Sequence, residues 1–276
     1  MPIDAITPEP VIPSALLRAK YRVRFQKTAD LRFVSHHDLM HIFERLFRRA
    51  DFSIPTSQGF NPRPRIWFAL SLALGVAGLN EVFEFELIAP LPEAEVRVRI
   101  IQHAPPGLIF LSVCEIDVKL SARVRRVFCR FVPESKPADD LSEVCAAFMQ
   151  KSESWVERLR PQHRRVNIRP FVEELRAVGD TIEMSLWITP YGAARADEVI
   201  NALGLAAALD AGGLIERTDL EIYDELPPDR ATPPPVITSN APVEDYADTS
   251  PSPSPSPRER IRPPTAIIDN PLSFET

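Results

Sequence analysis

The sequence predicts an α+β protein whose ordered part runs twice through the same β-α-β-β-α-β order. Three observations predict it. Apolar and polar residues alternate in the opening strand, a helical stripe of apolar residues follows with a weaker copy of the same order after it, and proline is concentrated at the two ends of the chain. With 276 residues, 45% of them hydrophobic, the chain is long enough to bury a sizeable core.

Residues 21–27 alternate strictly, with Tyr21, Val23 and Phe25 on one face and Arg22, Arg24 and Gln26 on the other, the pattern of a half-buried strand. Residues 37–50 form a helix. Leu39, Ile42, Phe43, Leu46, Phe47 and Ala50 fall at three- and four-residue spacings, one buried stripe. A short apolar run over 66–70 and an alternating run over 82–88 give the next two strands, with Phe83, Phe85 and Leu87 inward and Glu84 and Glu86 outward. A helix over 92–102 and a strand over 108–118 close the first half. The second half follows with a strand over 124–131, a helix over 139–150, strands over 166–168 and 181–189, a helix over 196–202 ending at Gly204, and a last strand over 216–223. This order makes two tandem ferredoxin-like halves packed together, 18–120 and 121–224.

The ends differ in kind. Residues 1–17 carry four prolines and no basic residue, a disordered leader, and 225–276 form a Pro/Ser-rich tail. Between Pro227 and Pro264 stand twelve prolines, with Ser-Pro alternating from Ser250 to Pro257. Such a segment buries too little surface to offset its ordering entropy. Within it, Ala266-Ile267-Ile268 and Leu272-Ser273-Phe274 are candidate docking residues.

Several function classes drop out on composition. No stretch approaches 18 uncharged apolar residues and no basic region leads into an apolar run at the start, so neither a membrane span nor a secretory signal is expected. Cys114, Cys129 and Cys145 are an odd number and widely spaced, which fits a reducing cytoplasm and no cofactor held by cysteines in this chain. No Ser-His-Asp order, phosphate-cradling glycine loop or nucleotide fingerprint is present.

Charge is uneven beneath a formal net of −6. From Arg18 to Ala69 there are eleven Lys and Arg against four acids, a surplus of seven that leaves the rest of the chain at −13. A confined positive field on an acidic protein points to a local polyanion site. Ser35 and Asp38 read as a helix cap, while His36 and His37 are needed for no cap. His37, His41, Glu44 or Arg45, and Arg48 form a row on the polar side of the helix, open to a metal, a general-base or an anion-facing reading. In Ser57-Gln58-Gly59-Phe60-Asn61-Pro62-Arg63-Pro64-Arg65 the prolines stiffen a loop that carries Arg63 and Arg65, and Phe60 can stack on a base or plug the core. Arg22 and Arg24 resemble a nucleic-acid platform, but the neighbouring strand sets Glu84 and Glu86 across from them as ion-pair partners. Arg158, Arg160, Arg164, Arg165 and Arg169 form a second basic cluster, solvated or extending the anion surface.

The run Phe25-Gln26-Lys27, Leu31-Arg32-Phe33-Val34-Ser35-His36-His37-Asp38-Leu39, Phe43-Glu44-Arg45 and Arg48-Arg49-Ala50, then Ser57-Gln58-Gly59-Phe60-Asn61-Pro62-Arg63-Pro64 and Leu74-Gly75-Val76, resembles a bacterial radical-SAM-linked domain family of unknown function. The resemblance implies a domain beside or fused to a radical SAM enzyme with a cobalamin-binding region, in an RNA-processing setting. It supplies no activity. Where the family's pattern carries one histidine before a leucine, His37 stands in the leucine's place, which favours His36 as the site histidine.

The expectation is a non-catalytic cytoplasmic accessory module that binds RNA, or another phosphate-bearing substrate, and presents it to that separate enzyme. Arg45, Arg48, Arg49, Arg63 and Arg65 would contact phosphates, Gln58 would assist, Phe60 would stack and His36 would contact the anion. Two alternatives are a metal-independent ribonuclease or RNA-modifying enzyme using His36 as general base, and a protein adaptor that binds no nucleic acid.

Overall fold

The computed structural model describes residues 18–57, 62–138, 140–159 and 162–227. All belong to the larger of the chain's two contact units, Met1–Ala241. The leader 1–17, the tail from 228 on, and with it the candidate docking residues, lie outside the described residues.

The first strand, β1 (Ala19–Lys27), is followed by a 3-10 turn at Ala29–Phe33 and by α1 (His36–Arg49). Ser35 caps α1 as its sequence position predicts. Its Oγ accepts from the Asp38 N–H at 3.1 Å and its hydroxyl donates to the Asp38 carboxylate at 2.6 Å. There follow β2 (Ile66–Phe68), β3 (Ala77–Leu87), α2 (Glu93–Gln102) and β4 (Leu108–Ile116). The second half contains β5 (Val124–Val132), α3 (Leu141–Met149), β6 (Trp155–Arg158), β7 (Arg164–Asn167), β8 (Val172–Val178), β9 (Thr181–Thr189), β10 (Gly192–Ala193), α4 (Ala196–Ala202), α5 (Ala206–Asp210) and β11 (Leu214–Ile222).

The fold is α+β with one large, mostly antiparallel sheet. Its strands run β10-β9-β5-β11-β3-β1-β4, with β2 added on β3 and β8 on β9. Only β11 and β3 pair in parallel among the described strands, and only over Glu216↔Ala77 and Arg217↔Gly78.

Two apolar clusters lie against this sheet. In one, Tyr21, Val23 and Phe25 meet Leu39, Phe43, Leu46 and Phe47 of α1 and Val96 and Ile100 of α2. In the other, Phe131, Ile182 and Leu186 meet Leu141 and Phe148 of α3 and Val199 and Ile200 of α4.

Three sequence expectations need correction. The strand expected over 166–168 is half of a separate hairpin, β6–β7, and β8 takes its place in the main sheet. A register shift between Val172 and Glu174 breaks the alternation by which β8 would have been recognised. The face of β1 and β3 read as outward is covered. Arg22, Glu84 and Glu86 are buried: Arg22 bonds Glu84 and, from the chain after β11, Asp224 and Glu225, the latter beyond the expected end of the ordered part; Glu84 also meets Lys20 and the Ala122 N–H, and Glu86 meets Arg65 and Arg18. The register also changes the partners: Arg22 stands opposite Glu84, but Arg24 stands opposite Val82 and reaches Asp219 and Glu225 instead.

Candidate anion-binding site

A hollow of about 580 Å³ lies between α1 and residues of the stretches 52–56 and 62–66. Helical spacing decides which α1 side chains reach it. His37, His41, Glu44 and Arg48 lie four, three and four residues apart, on one line along the helix, and all four line the hollow. At roughly 100° per residue, Arg45 and Arg49 sit about 80–120° further round from His37, away from Met40 and Phe47, which form the apolar side of the same hollow.

The facing wall is a backbone device. Pro62 and Pro64 have no N–H, so within residues 62–65 the backbone donors are those of Arg63 and Arg65. The Arg63 N–H donates to Ser57 Oγ at 3.0 Å, its carbonyl accepts from the Ser57 N–H at 2.8 Å, and the Arg65 N–H donates to the Pro55 carbonyl at 2.9 Å. These bonds aim Arg63 at the hollow and Arg65 away from it. Arg65 Nη1 bonds both carboxylate oxygens of Glu86 at 3.2 Å, and Glu86 also lies 3.6 Å from Arg18.

Of the predicted site residues, then, Arg48 and Arg63 converge, joined by His37 and His41. Arg65 is neutralised, Arg45 and Arg49 are exposed on the flank of α1, and Gln58 and Phe60 lie outside the described residues. None of Arg45, Arg48, Arg49 and Arg63 has a carboxylate partner among the described residues, whereas Arg22, Arg24 and Arg65 all do. Within the hollow the His41 Nδ1 lies 3.1 Å from Glu44 Oε2, and the His37 and His41 rings meet edge-on at 4.5 Å. No three His, Cys, Asp or Glu side chains stand together as a metal-ligand set among the described residues.

The second basic cluster dissolves into structure. Arg158 is buried, with Nε and Nη2 on Glu198 at 2.7 Å and Nη2 on the Ala193 carbonyl, and Arg169 bonds the carbonyls of Met149 and Val172. Arg164 stays exposed, Arg165 lies over the Trp155 ring, and Arg160 is outside the described residues.

His36, one residue before His37, turns a different way. Its ring meets Phe68 edge-on at 5.2 Å and lines a second cavity of about 460 Å³, walled by the loop 70–76, β5, β9 and the residues before α4. Burial, the Lys27 charge and His37 together hold its pKa below the usual histidine value.

The sign of its effect follows. The unfolded chain takes up this proton first, so the stability contribution is complete above the ordinary value of 6.5 and is lost as pH falls from there through the folded value. Denaturant unfolding at neutral and mildly acid pH checks this. His36→Leu should flatten the loss between the two, and an unchanged loss refutes the assignment.

Sequence reasoning missed the charged residues beneath this cavity. Lys27 shares the inward face with Phe25 and is 0% exposed; its Nζ donates to the Val34 carbonyl at 2.7 Å and the Arg32 carbonyl at 3.4 Å. Glu81 accepts from Arg217 Nε at 2.7 Å and from its Nη2, and Arg217 also bonds the carbonyls of Leu70 and Ser71. Cys129 stands beside them, its thiol pushed up to about 12 by burial, and burial pushes Cys145 up to about 11.

A family model described as "Uncharacterized protein conserved in bacteria (DUF2344)" matches residues 20–198. No curated protein matches. Among solved structures, an unknown protein from Galdieria sulphuraria is similar at 12% identity, covering 74% of this chain and 98% of that one, with a TM-score of 0.24. A second structure, named for a proposed glycine cleavage system transcriptional repressor, is 10% identical over 72% of this chain and 96% of its own, with a TM-score of 0.23. At those scores neither bears on fold or function.

Proposed function

Since the chain belongs to that family of uncharacterized bacterial proteins, whose description assigns no activity, we propose on the site's own chemistry that it is an accessory module binding a phosphate-bearing ligand, single-stranded RNA first, in the hollow beside α1. The observation that carries this reading is the pair Arg48 and Arg63. They come from two elements, line one hollow, and have no carboxylate partner among the described residues. Partly exposed Met40, Phe52 and Ile54 beside them offer an apolar surface for a base or sugar. Arg45 and Arg49 extend the field along the helix.

Presentation of the ligand to a separate radical SAM enzyme rests on the motif resemblance. The thiols agree with that division: Cys129 and Cys145 are buried and held protonated, unsuited to bind a cluster as thiolates. The strand orders β4-β1-β3-β2 and β11-β5-β9-β8 support reading the fold as tandem ferredoxin-like halves. The ribonuclease alternative needs His36 and the arginines on one ligand, and His36 lines the other cavity.

The test is the salt dependence of binding to single-stranded RNA. Two to four phosphate contacts give a slope of about −1.4 to −2.8, at about −0.7 per contact. Arg48→Ala and Arg63→Ala should each weaken binding about tenfold, roughly 1.4 kcal/mol, while Arg65→Ala leaves the slope unchanged. A slope near zero ends this reading.

A further inference from the structure

The second cavity has a property the first lacks: a buried charge imbalance. Lys27 and Arg217 are both buried, Arg217 engages the Glu81 carboxylate through two bonds, and burial pushes the Lys27 ammonium below the usual lysine pKa. The Lys27 ammonium is met only by backbone carbonyls. Lys27 lies near enough to disfavour a proton on His36 at the cavity wall, and it is itself acted on by Glu81 and, in the opposite sense, by Arg217, which lines the cavity. Burying an uncompensated charge is costly, and a bound anion relieves that cost.

Most of the remaining wall is aliphatic, including Leu72, Val76, Leu186 and Ile215. Arg195 and Asp197, at and just inside the start of α4, also line it and oppose each other in sign. At about 460 Å³ the space falls within the roughly 300–1,000 Å³ of small-molecule sites. Cys129 adds no nucleophile, because its thiol is held protonated.

We propose that this cavity binds a small carboxylate carrying a short aliphatic chain, with the carboxylate at His36 and the chain among Leu72, Val76, Leu186 and Ile215. The head group answers the positive excess; the chain answers the walls. The hollow beside α1 is lined by other residues, so this site stands or falls independently of RNA binding.

Sodium octanoate and 1-octanol are the probes, titrated calorimetrically into the full chain near neutral pH. Octanoate should bind at least about tenfold tighter than octanol, a preference of roughly 1.4 kcal/mol. His36→Leu should bring the two affinities together while leaving octanol unchanged, a loss of selectivity that general destabilisation does not produce. Ala73→Trp, at an exposed wall position, should fill the mouth and weaken octanoate about tenfold or more. If thermal unfolding shows that variant to be misfolded, Ala73→Leu reads the same point. Equal affinities for the two probes, no binding of either, or octanoate binding that survives Ala73→Trp would each overturn the proposal.

Discussion

Replacing Glu81 by alanine should lower the unfolding free energy by about 3–5 kcal/mol, the cost of stripping one partner from a buried ion pair. Glu81 is 2% exposed and holds Arg217 across the one parallel strand junction, which has only two residue pairs of register. Without the carboxylate, Arg217 and Lys27 remain as buried positive charges with no counter-charge. The local backbone is shaped for the pair: a Cβ on Gly78 would lie 2.4 Å from Glu81 Cγ, so glycine lets the side chain fold over its own strand. Urea unfolding of Glu81→Ala against Glu81→Leu/Arg217→Met decides the cause. The double variant should regain much of the loss, and if it is as unstable as the single one, the charge argument is wrong.

Phe43→Ala should cost about 3–5 kcal/mol by a different route, cavity formation. Phe43 is fully buried and its ring meets those of Phe25 at 5.5 Å, Phe68 at 5.2 Å, Phe83 at 4.6 Å, Phe47 at 5.9 Å and Phe110 at 6.1 Å. These partners come from β1, β2, β3 and β4 as well as from α1 itself, so the ring ties the helix to every strand of the first half. Phe43→Leu refills most of the space and should recover most of the stability. Because α1 carries His36, His37 and Arg48, its amide hydrogens should exchange faster in the alanine variant. A loss below about 1 kcal/mol would mean the rings are not packed as a unit.

These two residues mark what could be seen in the sequence and what could not. Phe43 was visible because a helix repeats its buried side every three to four residues, and Tyr21, Val23 and Phe25 were visible because a strand repeats every two. Alternation assigns a side and says nothing about what covers it. It put Lys27 on the Phe25 side, but the carbonyls that accept its protons come from the turn at 32–34, and Glu81 and Arg217 meet across 136 residues of chain. Arg22 and Glu84 were correctly set opposite each other; what the pattern could not show is that Arg22 also meets Asp224 and Glu225, some 200 residues on.

The site shows the same division. Spacing along α1 separated Arg48 from Arg45 and Arg49 only once Met40 and Phe47 fixed which side the hollow took. Arg63 and Arg65 look equivalent in a Pro-Arg-Pro-Arg run, and Glu86 on a neighbouring strand makes them different.

The junction of β3 with β11 also has a bearing on how the chain is born. Synthesis delivers Lys20, Arg22, Glu81 and Glu84 well before Arg217, Asp224 and Glu225. The opening strands therefore emerge with several charges unmatched and cannot reach their final form until residues 217–225 have been made. A stop codon shortly before residue 217 would release a chain in which Glu81 lacks Arg217, Arg22 lacks Asp224 and Glu225, and β5 lacks its β11 neighbour.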